Sequence, residues 1–466
     1  MSQTKQYFLS GIGGSGMLSL AILLREQGCV VAGSDRARDQ GRTPDKFAWL
    51  EGQGITLFPQ DGSGITSADQ IVVASAAVED TVPDMAKTRE VGATRLTRAQ
   101  LLAELFNAAP RSIAIGGTSG KSTTTGMAGW IATHAGLAPT IMNGAVMNNF
   151  ARPDAPYLSA VGGKGDVFIS EVDESDGSIV DFHATIAVIN NIAFDHKTME
   201  ELREIFATFL GQAKRCVLNA DDAETMALAK RVGPDQAMTF SLSDRGADVF
   251  ADRIRPRPDG ISFVAGVKAD GNILPVDLKV PGRHNVANAL AAMAACIAVG
   301  VDPEQAAEAL GTFSGVKRRM ELVGKANEIT VIDDFAHNPD KITATLSTLH
   351  EFPGRLLVMF QPHGFGPLRL MRGQFIDCFA ENLGEEDVLL MPEPVYYGGT
   401  TDKSVSSDDI ALGITAKGRN ATALATRDEC GAWLHDLARP GDRIVIMGAR
   451  DDTLSEFAAD VLAKLA

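Results

Sequence analysis

Two glycine-rich turns, each preceded by a short β-branched run and followed by a helical pattern, limit the possible folds of this chain more than any other feature. The first is Gly11-Ile12-Gly13-Gly14-Ser15-Gly16, between the apolar run Tyr7 to Ile12 and a helix expected over Met17 to Gln27. Glycines at such a place let the backbone approach a diphosphate, whose charge then meets the N-terminus of the following helix. Asp35, 19 residues beyond Gly16 at the end of the next strand, sits where a dinucleotide-binding unit keeps its acidic ribose contact. The second turn, Gly116-Gly117-Thr118-Ser119-Gly120-Lys121-Ser122-Thr123, also joins a strand to a helix. Its amides suit a phosphate cradle, Lys121 the β- and γ-phosphates, and the Ser122 hydroxyl Mg²⁺. Only three residues separate Gly116 from Gly120, one fewer than in the usual phosphate loop, but the lysine and hydroxyl are kept.

Strand-like runs at Val30 to Gly33, Ile71 to Ala74, Ile113 to Ile115, Val167 to Ile169 and Ile186 to Ile189 alternate with helical patterns, which predicts α/β architecture with helix-covered parallel sheets. The pattern restarts after Asn107 and again after Gly315, so three domains are expected: an N-terminal Rossmann-like unit over 1–107, a central phosphate-loop ATPase-like domain over 108–314, and a C-terminal Rossmann-like domain over 315–466. Turn-rich sequence between Ala247 and Val280 predicts a small antiparallel addition to the central sheet. With 43 basic and 59 acidic residues, a net charge of −16 disfavours nucleic acid or anionic membrane as partners, and an anionic ligand needs a local positive pocket. The longest apolar stretch, Ala289 to Val301, is too short for a membrane span, and a cytoplasmic location is expected. Five scattered cysteines without CxxC spacing predict reduced thiols rather than disulfides or zinc.

A nicotinamide dehydrogenase accounts for the first turn alone. Two turns in separate domains call for two phosphorylated ligands, and only the second carries groups suited to a γ-phosphate. Glu171-Val172-Asp173-Glu174-Ser175-Asp176 follows a strand and offers hard oxygen ligands for Mg²⁺. His196, after Asn190-Asn191 and the next strand, is a candidate for a second cation or a structural residue. Asn285 at a helix start, Arg319 in Lys317-Arg318-Arg319, and Asp334 with His337 after a strand suit base, phosphate and ribose contacts.

Taken together, GIGGSGM, GSD, GTSGKSTTT, EVDESDGS, NNIAFDHK, GRHNVANALAA, GVKRRME, DDFAHNP and FQPH, in that order, give a chain that resembles the Mur ligases, ATP-dependent amide-bond ligases, over nearly its whole length. The resemblance implies ATP and Mg²⁺ as cofactors, and UDP-N-acetylmuramate with an amino acid or peptide as partners of a monomer or homodimer. It implies that Gly13, Gly14, Ser15 and Gly16 hold the diphosphate, with Asp35 and Ser75 by the uridine. Gly117, Thr118, Ser119, Gly120, Lys121, Ser122 and Thr123 then receive ATP, with Asn285 at adenine and Arg319 and Asp334 reaching it from the third domain. Lys121, Glu171 and His196 are the implied catalytic groups, and Ser122, Glu171 and His196 the metal ligands. Around the acceptor the chain departs from the alanine-adding branch: Phe335 replaces a tyrosine, and Gly364-Phe365-Gly366-Pro367 follows FQPH in place of Arg-Tyr-Thr-Arg. His337, His363 and Arg369 are the remaining candidates for the acceptor. A different acceptor, such as a recycled murein peptide, and a non-catalytic sugar-nucleotide sensor stay open at this point.

Overall fold

A computed structural model describes residues 4–466 except 76–77, 158, 194–196, 234, 270, 396–401, 450 and 452. It contains three sheets. The first has strands β1 (Gln6–Ser10), β2 (Val30–Ser34), β3 (Thr56–Phe58), β4 (Gln70–Ala74) and β5 (Thr94–Thr97) in the order β3-β2-β1-β4-β5. All four neighbouring pairs are parallel. The order reverses between β1 and β4, and a doubly wound sheet opens its ligand crevice at the carboxyl ends of such strands. The first glycine turn follows β1, and Ser75 follows β4 directly.

The second sheet comprises β6 (Arg111–Gly116), β7 (Thr140–Met142), β8 (Ala160–Val161), β9 (Val167–Glu171), β10 (Ile186–Ile189), β11 (Arg215–Asn219), β12 (Ala237–Ser241), β13 (Val249–Arg257), β14 (Gly260–Val267) and β15 (Asn272–Leu278). Their order is β15-β14-β13-β12-β11-β10-β6-β9-β7-β8. β6 therefore lies between β9 and β10, parallel to both. That placement brings the second glycine turn, Glu171 and Asn190 to one sheet edge from three separate stretches of sequence. Strands β6, β9 and β10 are buried at nearly every position, as continuous Val/Ile/Ala runs covered on both faces must be. Each large apolar side chain so buried contributes ~1.5–3 kcal/mol.

The first sheet, and the second apart from Arg255–Arg257 of β13, Gly260–Ser262 of β14 and Leu278 of β15, belong to one compact unit, formed by Met1–Ile254, Phe263–Asp277 and Asn285–Ser314. Within it Phe106 packs its ring 5.5 Å from that of Phe168 and 5.3 Å from that of Phe182, while Asn107 donates to the Asp181 carbonyl. The helix Arg98–Asn107 starts at a capping box made by Thr97 and Gln100, and Thr198 with Glu201 starts Met199–Gly211 in the same way.

The second unit is Arg255–Ser262, Leu278–His284 and Gly315–Ala466. Its sheet has β16 (Glu321–Ala326), β17 (Ile329–Asp334), β18 (Leu356–Gln361), β19 (Val388–Pro392), β20 (Asn420–Leu424) and β21 (Arg443–Gly448), ordered β16-β17-β21-β18-β19-β20. Only β16 runs antiparallel. The last strand, β21, is inserted between β17 and β18, so Asp333-Asp334, Gln361 and Gly448 end side by side. No helix among the described residues is long and apolar enough to cross a membrane. The five cysteines are unbridged, and all but Cys29 are buried.

Candidate active site

The turn after β6 needs its glycines for different reasons. Gly117 and Gly120 have φ of 120° and 85°, and a Cβ at Gly120 would strike the Asn288 side chain. Neighbouring strand ends brace the turn. The Thr118 N–H donates to the Asn191 carbonyl at 3.0 Å, the Ser119 N–H to Asn191 Oδ1 at 3.0 Å, and Asn190 Nδ2 to Thr124 Oγ1 at 2.9 Å. A preorganised loop of this kind leaves its remaining amides to an anion at the helix N-terminus.

Lys121 opens the helix Lys121–His134, and its ammonium donates to the Gly117 carbonyl at 2.7 Å and to Glu174 Oε2 at 2.8 Å. Glu174 is 4% exposed, and burial pushes its carboxyl above the ordinary range against the opposing pull of Lys121. For Asp173 burial also resists ionisation, but Lys121, Ser175 and Arg98 together outweigh it and leave that carboxyl low. Ser122 Oγ donates to Glu171 Oε2 at 2.7 Å. Gly144 lies where any Cβ would collide with the Glu171 carboxylate. The hydroxyl and carboxylate make an oxygen pair of the kind Mg²⁺ takes while retaining waters and phosphate. Beside it Asn143 donates to the Ser122 carbonyl at 3.0 Å while its Oδ1, like that of Asn190, is buried without a partner. Such orphaned acceptors next to a phosphate loop fit a site that takes a hydrated cation and its nucleotide. Asn285 is buried and accepts from Asn288, which in turn accepts from Thr124. His196 lies outside the described residues, and among the described residues no three His, Cys, Asp or Glu side chains gather as a metal cluster.

At the first turn, Asp35 is the N-cap of a short helix, Arg36–Asp39, with Oδ1 accepting from the Ala37 N–H at 2.8 Å. Its Oδ2 accepts from the Gly13 N–H at 2.7 Å. The carboxylate expected at a ribose thus also holds the turn in shape. The helix Ser15–Glu26 begins at Gly14 without a side-chain cap or an acidic first turn. Arg98 lies against Gly16, its side chain 3.1–3.4 Å from where a Cβ would be.

In the second unit, Arg318 sits at φ 58°, turned inward. Its Nε meets Asp333 Oδ1 at 3.3 Å, its Nη1 donates to the Asp451 carbonyl at 2.9 Å, and its Nη2 to the Gly448 carbonyl at 2.7 Å. Arg319 stacks over the Phe335 ring at 4.3 Å. Asp334 accepts from the Met320 N–H at 3.0 Å and the Thr345 hydroxyl at 2.5 Å. His337 and His363 meet edge to face, 5.5 Å between ring centroids. Burial, with Lys341, His363 and Arg319 nearby, lowers His337 to about 3, so its ring is neutral near pH 7. Arg369 makes a half-exposed ion pair with Asp402 at 3.2 Å. Sequence reasoning missed Arg427, which meets Asp451 at 3.1 Å and Thr453 at 3.0 Å while Gln361 donates to the same carboxylate. No local motif surrounds Arg427. Asn143, Asn288 and Arg98 were likewise invisible one residue at a time.

The chain matches three family models: the Mur ligase family catalytic domain over residues 7–109, the Mur ligase middle domain over 115–296, and the Mur ligase glutamate ligase domain over 318–450. This chain belongs to the Mur ligase family. It is 35% identical to the UDP-N-acetylmuramate–L-alanine ligase of Geobacter sulfurreducens over 94% of this chain and 93% of that one. It is 33% identical to the enzyme of the same name from Streptomyces coelicolor over 97% of each. Among solved structures it is similar to the UDP-N-acetylmuramate–alanine ligase of Thermotoga maritima, with a TM-score of 0.78, 25% identity and 98% of both chains covered. It is also similar to a murein peptide ligase of Psychrobacter arcticus, with a TM-score of 0.73, 25% identity, and 99% of this chain and 98% of that one covered.

Proposed function

We propose that this Mur ligase is an ATP-dependent, ADP-forming enzyme that joins L-alanine to UDP-N-acetylmuramate in peptidoglycan synthesis. The observation carrying this reading is the paired arrangement Lys121–Glu174 and Ser122–Glu171 on one phosphate turn, in a chain whose full-length relatives bear that activity in their names. The muramyl carboxylate attacks the γ-phosphorus, ADP leaves, and the amine then displaces phosphate from the acyl phosphate to give the amide. An anion attacking a polyanion meets repulsion, so positive charge must be in place before the bond forms. Lys121 supplies it by exchanging Glu174 for the β- and γ-phosphate oxygens. Ser122 and Glu171 would hold Mg²⁺, whose charge would offset that of the phosphates. The braced amides of residues 117–123 orient the triphosphate, and the turn at Gly13 to Gly16 orients the sugar nucleotide, which converts much of the barrier into prior binding.

One observation favours a second reading of the acceptor. Gly364 and Pro367 stand where the alanine-adding pattern has arginines, Arg369 pairs with Asp402 in a half-exposed contact, and a murein peptide ligase is among the similar structures. A murein peptide is therefore the alternative acceptor on the same chemistry. Phosphate release with ATP, Mg²⁺ and UDP-N-acetylmuramate against a panel of amino acids and murein peptides, with mass spectrometry of the product, decides between them. L-alanine is the expected best acceptor; no phosphate with any amine would remove the proposal. The expected partners are small molecules alone, in the cytoplasm.

A further inference from the structure

We propose that Ser19 is a positioning residue that couples the two glycine turns, an inference resting on the reading above that the first takes the sugar nucleotide and the second ATP. Ser19 is fully buried in the second turn of the helix Ser15–Glu26, which begins directly at the first glycine turn. Its hydroxyl has two carbonyls in reach: that of Ser15, four residues back in its own helix, at 2.8 Å, and that of Asn143, just past β7 in the second sheet, at 3.2 Å. The Ser159 hydroxyl, just ahead of β8, meets the Ser19 oxygen. Asn143 carries the connection on. Its N–H donates to the Ser159 carbonyl at 3.1 Å, and its side-chain amide donates at 3.0 Å to the carbonyl of Ser122, whose hydroxyl holds Glu171. Ser19, Ser159, Asn143 and Ser122 are all buried, so water does not substitute freely for these bonds.

The helix is fastened to the second sheet at two points. Glu26, at its far end, accepts from the Gly162 N–H, and any Cβ at Gly162 would strike that carboxylate. Seven residues of helix rise about 10.5 Å and three of strand about 10 Å, so Ser19 and Glu26 stand in register with Ser159 and Gly162. A movement of the helix start is therefore passed to Asn143. The Ser19 hydroxyl has one proton for its two carbonyls. Given to Ser15, it closes a bond inside the helix; given to Asn143, it ties the helix to the residue that braces Ser122. Asn143 Oδ1, buried without a partner among the described residues, leaves the network one bond short. An anion at the first turn fixes the start of the helix, and a triphosphate at the second fixes Ser122. Each ligand orders one end of the same chain of bonds, so the second to bind has less ordering left to do, and each favours the other equally.

The test measures the dissociation constant of UDP-N-acetylmuramate by titration calorimetry on the full-length protein, alone and with saturating Mg²⁺ and adenylyl imidodiphosphate, a triphosphate analogue that is not hydrolysed. In wild type the analogue should tighten sugar-nucleotide binding about fivefold or more. In Ser19→Ala that ratio should fall to within twofold of one, with each ligand alone binding within threefold of wild type. Ser19→Cys, close in size and a weaker donor, should show the same loss and serves if the alanine variant folds poorly. Glu26→Gln, at the other attachment, should keep the wild-type ratio. A ratio within twofold of wild type in both Ser19 variants overturns the proposal, as does a wild-type ratio below twofold or an equal loss in Glu26→Gln. Weaker binding of each ligand alone at an unchanged ratio also overturns it and makes Ser19 a packing residue only. Wild-type protein that binds neither the sugar nucleotide nor the analogue removes the functional reading itself, a result distinct from a null effect of the variants.

Discussion

Arg318 is the clearest place to test the energetic logic of the second unit. Its side chain is 9% exposed and faces Asp333, whose side chain is 1% exposed, across 3.3 Å. Arg318→Met keeps much of the volume but strands that carboxylate, along with the Gly448 and Asp451 carbonyls that Arg318 also serves. Removing one partner of a buried pair costs about 3–5 kcal/mol, because the remaining charge has no compensation. At ~2–4 °C per kcal/mol for a domain of this size, the melting transition of the unit should fall by about 6–20 °C in calorimetry. Adding Asp333→Asn removes the stranded charge, and the double variant should regain about 2 kcal/mol or more of the loss. The pH dependence carries a definite sign. Burial already raises Asp333 above its usual value, and Arg318 is the leading group that lowers it. Without Arg318 the folded form holds its proton more tightly, so the single variant gains stability as pH falls and the gap to the double variant narrows from pH 8 to pH 5. A single-variant shift below 2 °C, or a double variant no better than the single, refutes the argument that the stranded charge sets the cost.

Lys121→Met should reduce phosphate release about 10³-fold, some ~4 kcal/mol of lost stabilisation of the transferring phosphoryl, while UDP-N-acetylmuramate still binds by calorimetry. Turnover within tenfold of wild type refutes it. Ser122→Ala removes the hydroxyl that donates to Glu171 and should raise the Mg²⁺ concentration for half-maximal rate about tenfold; an unchanged magnesium titration counts against the assigned ligand pair. His337 is depressed from 6.5 to about 3 in the folded chain, so the unfolded chain takes up a proton first as pH falls, and stability is lost between those values. His337→Gln should flatten the urea-unfolding midpoint over that window, and an identical slope in both proteins excludes His337 as its source.

Much of the architecture was readable because buried parallel strands are compact apolar runs: Ile186 to Ile189 matches β10 at both ends, and the helix expected over Met17 to Gln27 is displaced by two residues at its start and one at its end. Lys121 and Ser122 were legible as candidates because the lysine and the hydroxyl stand side by side in one glycine turn, although Glu174 and Glu171, which they meet, lie about fifty residues on. Glu171 was legible as a candidate because acids follow a strand there. The braces of the phosphate turn were not readable, since Asn190, Asn191 and Asn288 reach it only because β6 is inserted between β9 and β10 and a later helix packs above. In Lys317-Arg318-Arg319 the sequence offers three equivalent cations. Positive φ at Arg318 turns that one into the interior and leaves Arg319 on the Phe335 ring. Asp35 shows the converse, a residue singled out for ligand binding whose two oxygens also hold backbone amides.

On the proposed function, the contact between Lys121 and Glu174 bears on more than the moment of phosphoryl transfer. An enzyme that waits with its ammonium already satisfied does not offer a bare cation to every passing anion, so inorganic phosphate and sulfate must compete with a built-in carboxylate to lodge there. On the same proposal, a triphosphate would win that contest through the many amides of the turn acting at once. Once the terminal group had left, Glu174 would reclaim the ammonium, and the spent nucleotide would depart against a weaker hold than the one that drew its precursor in.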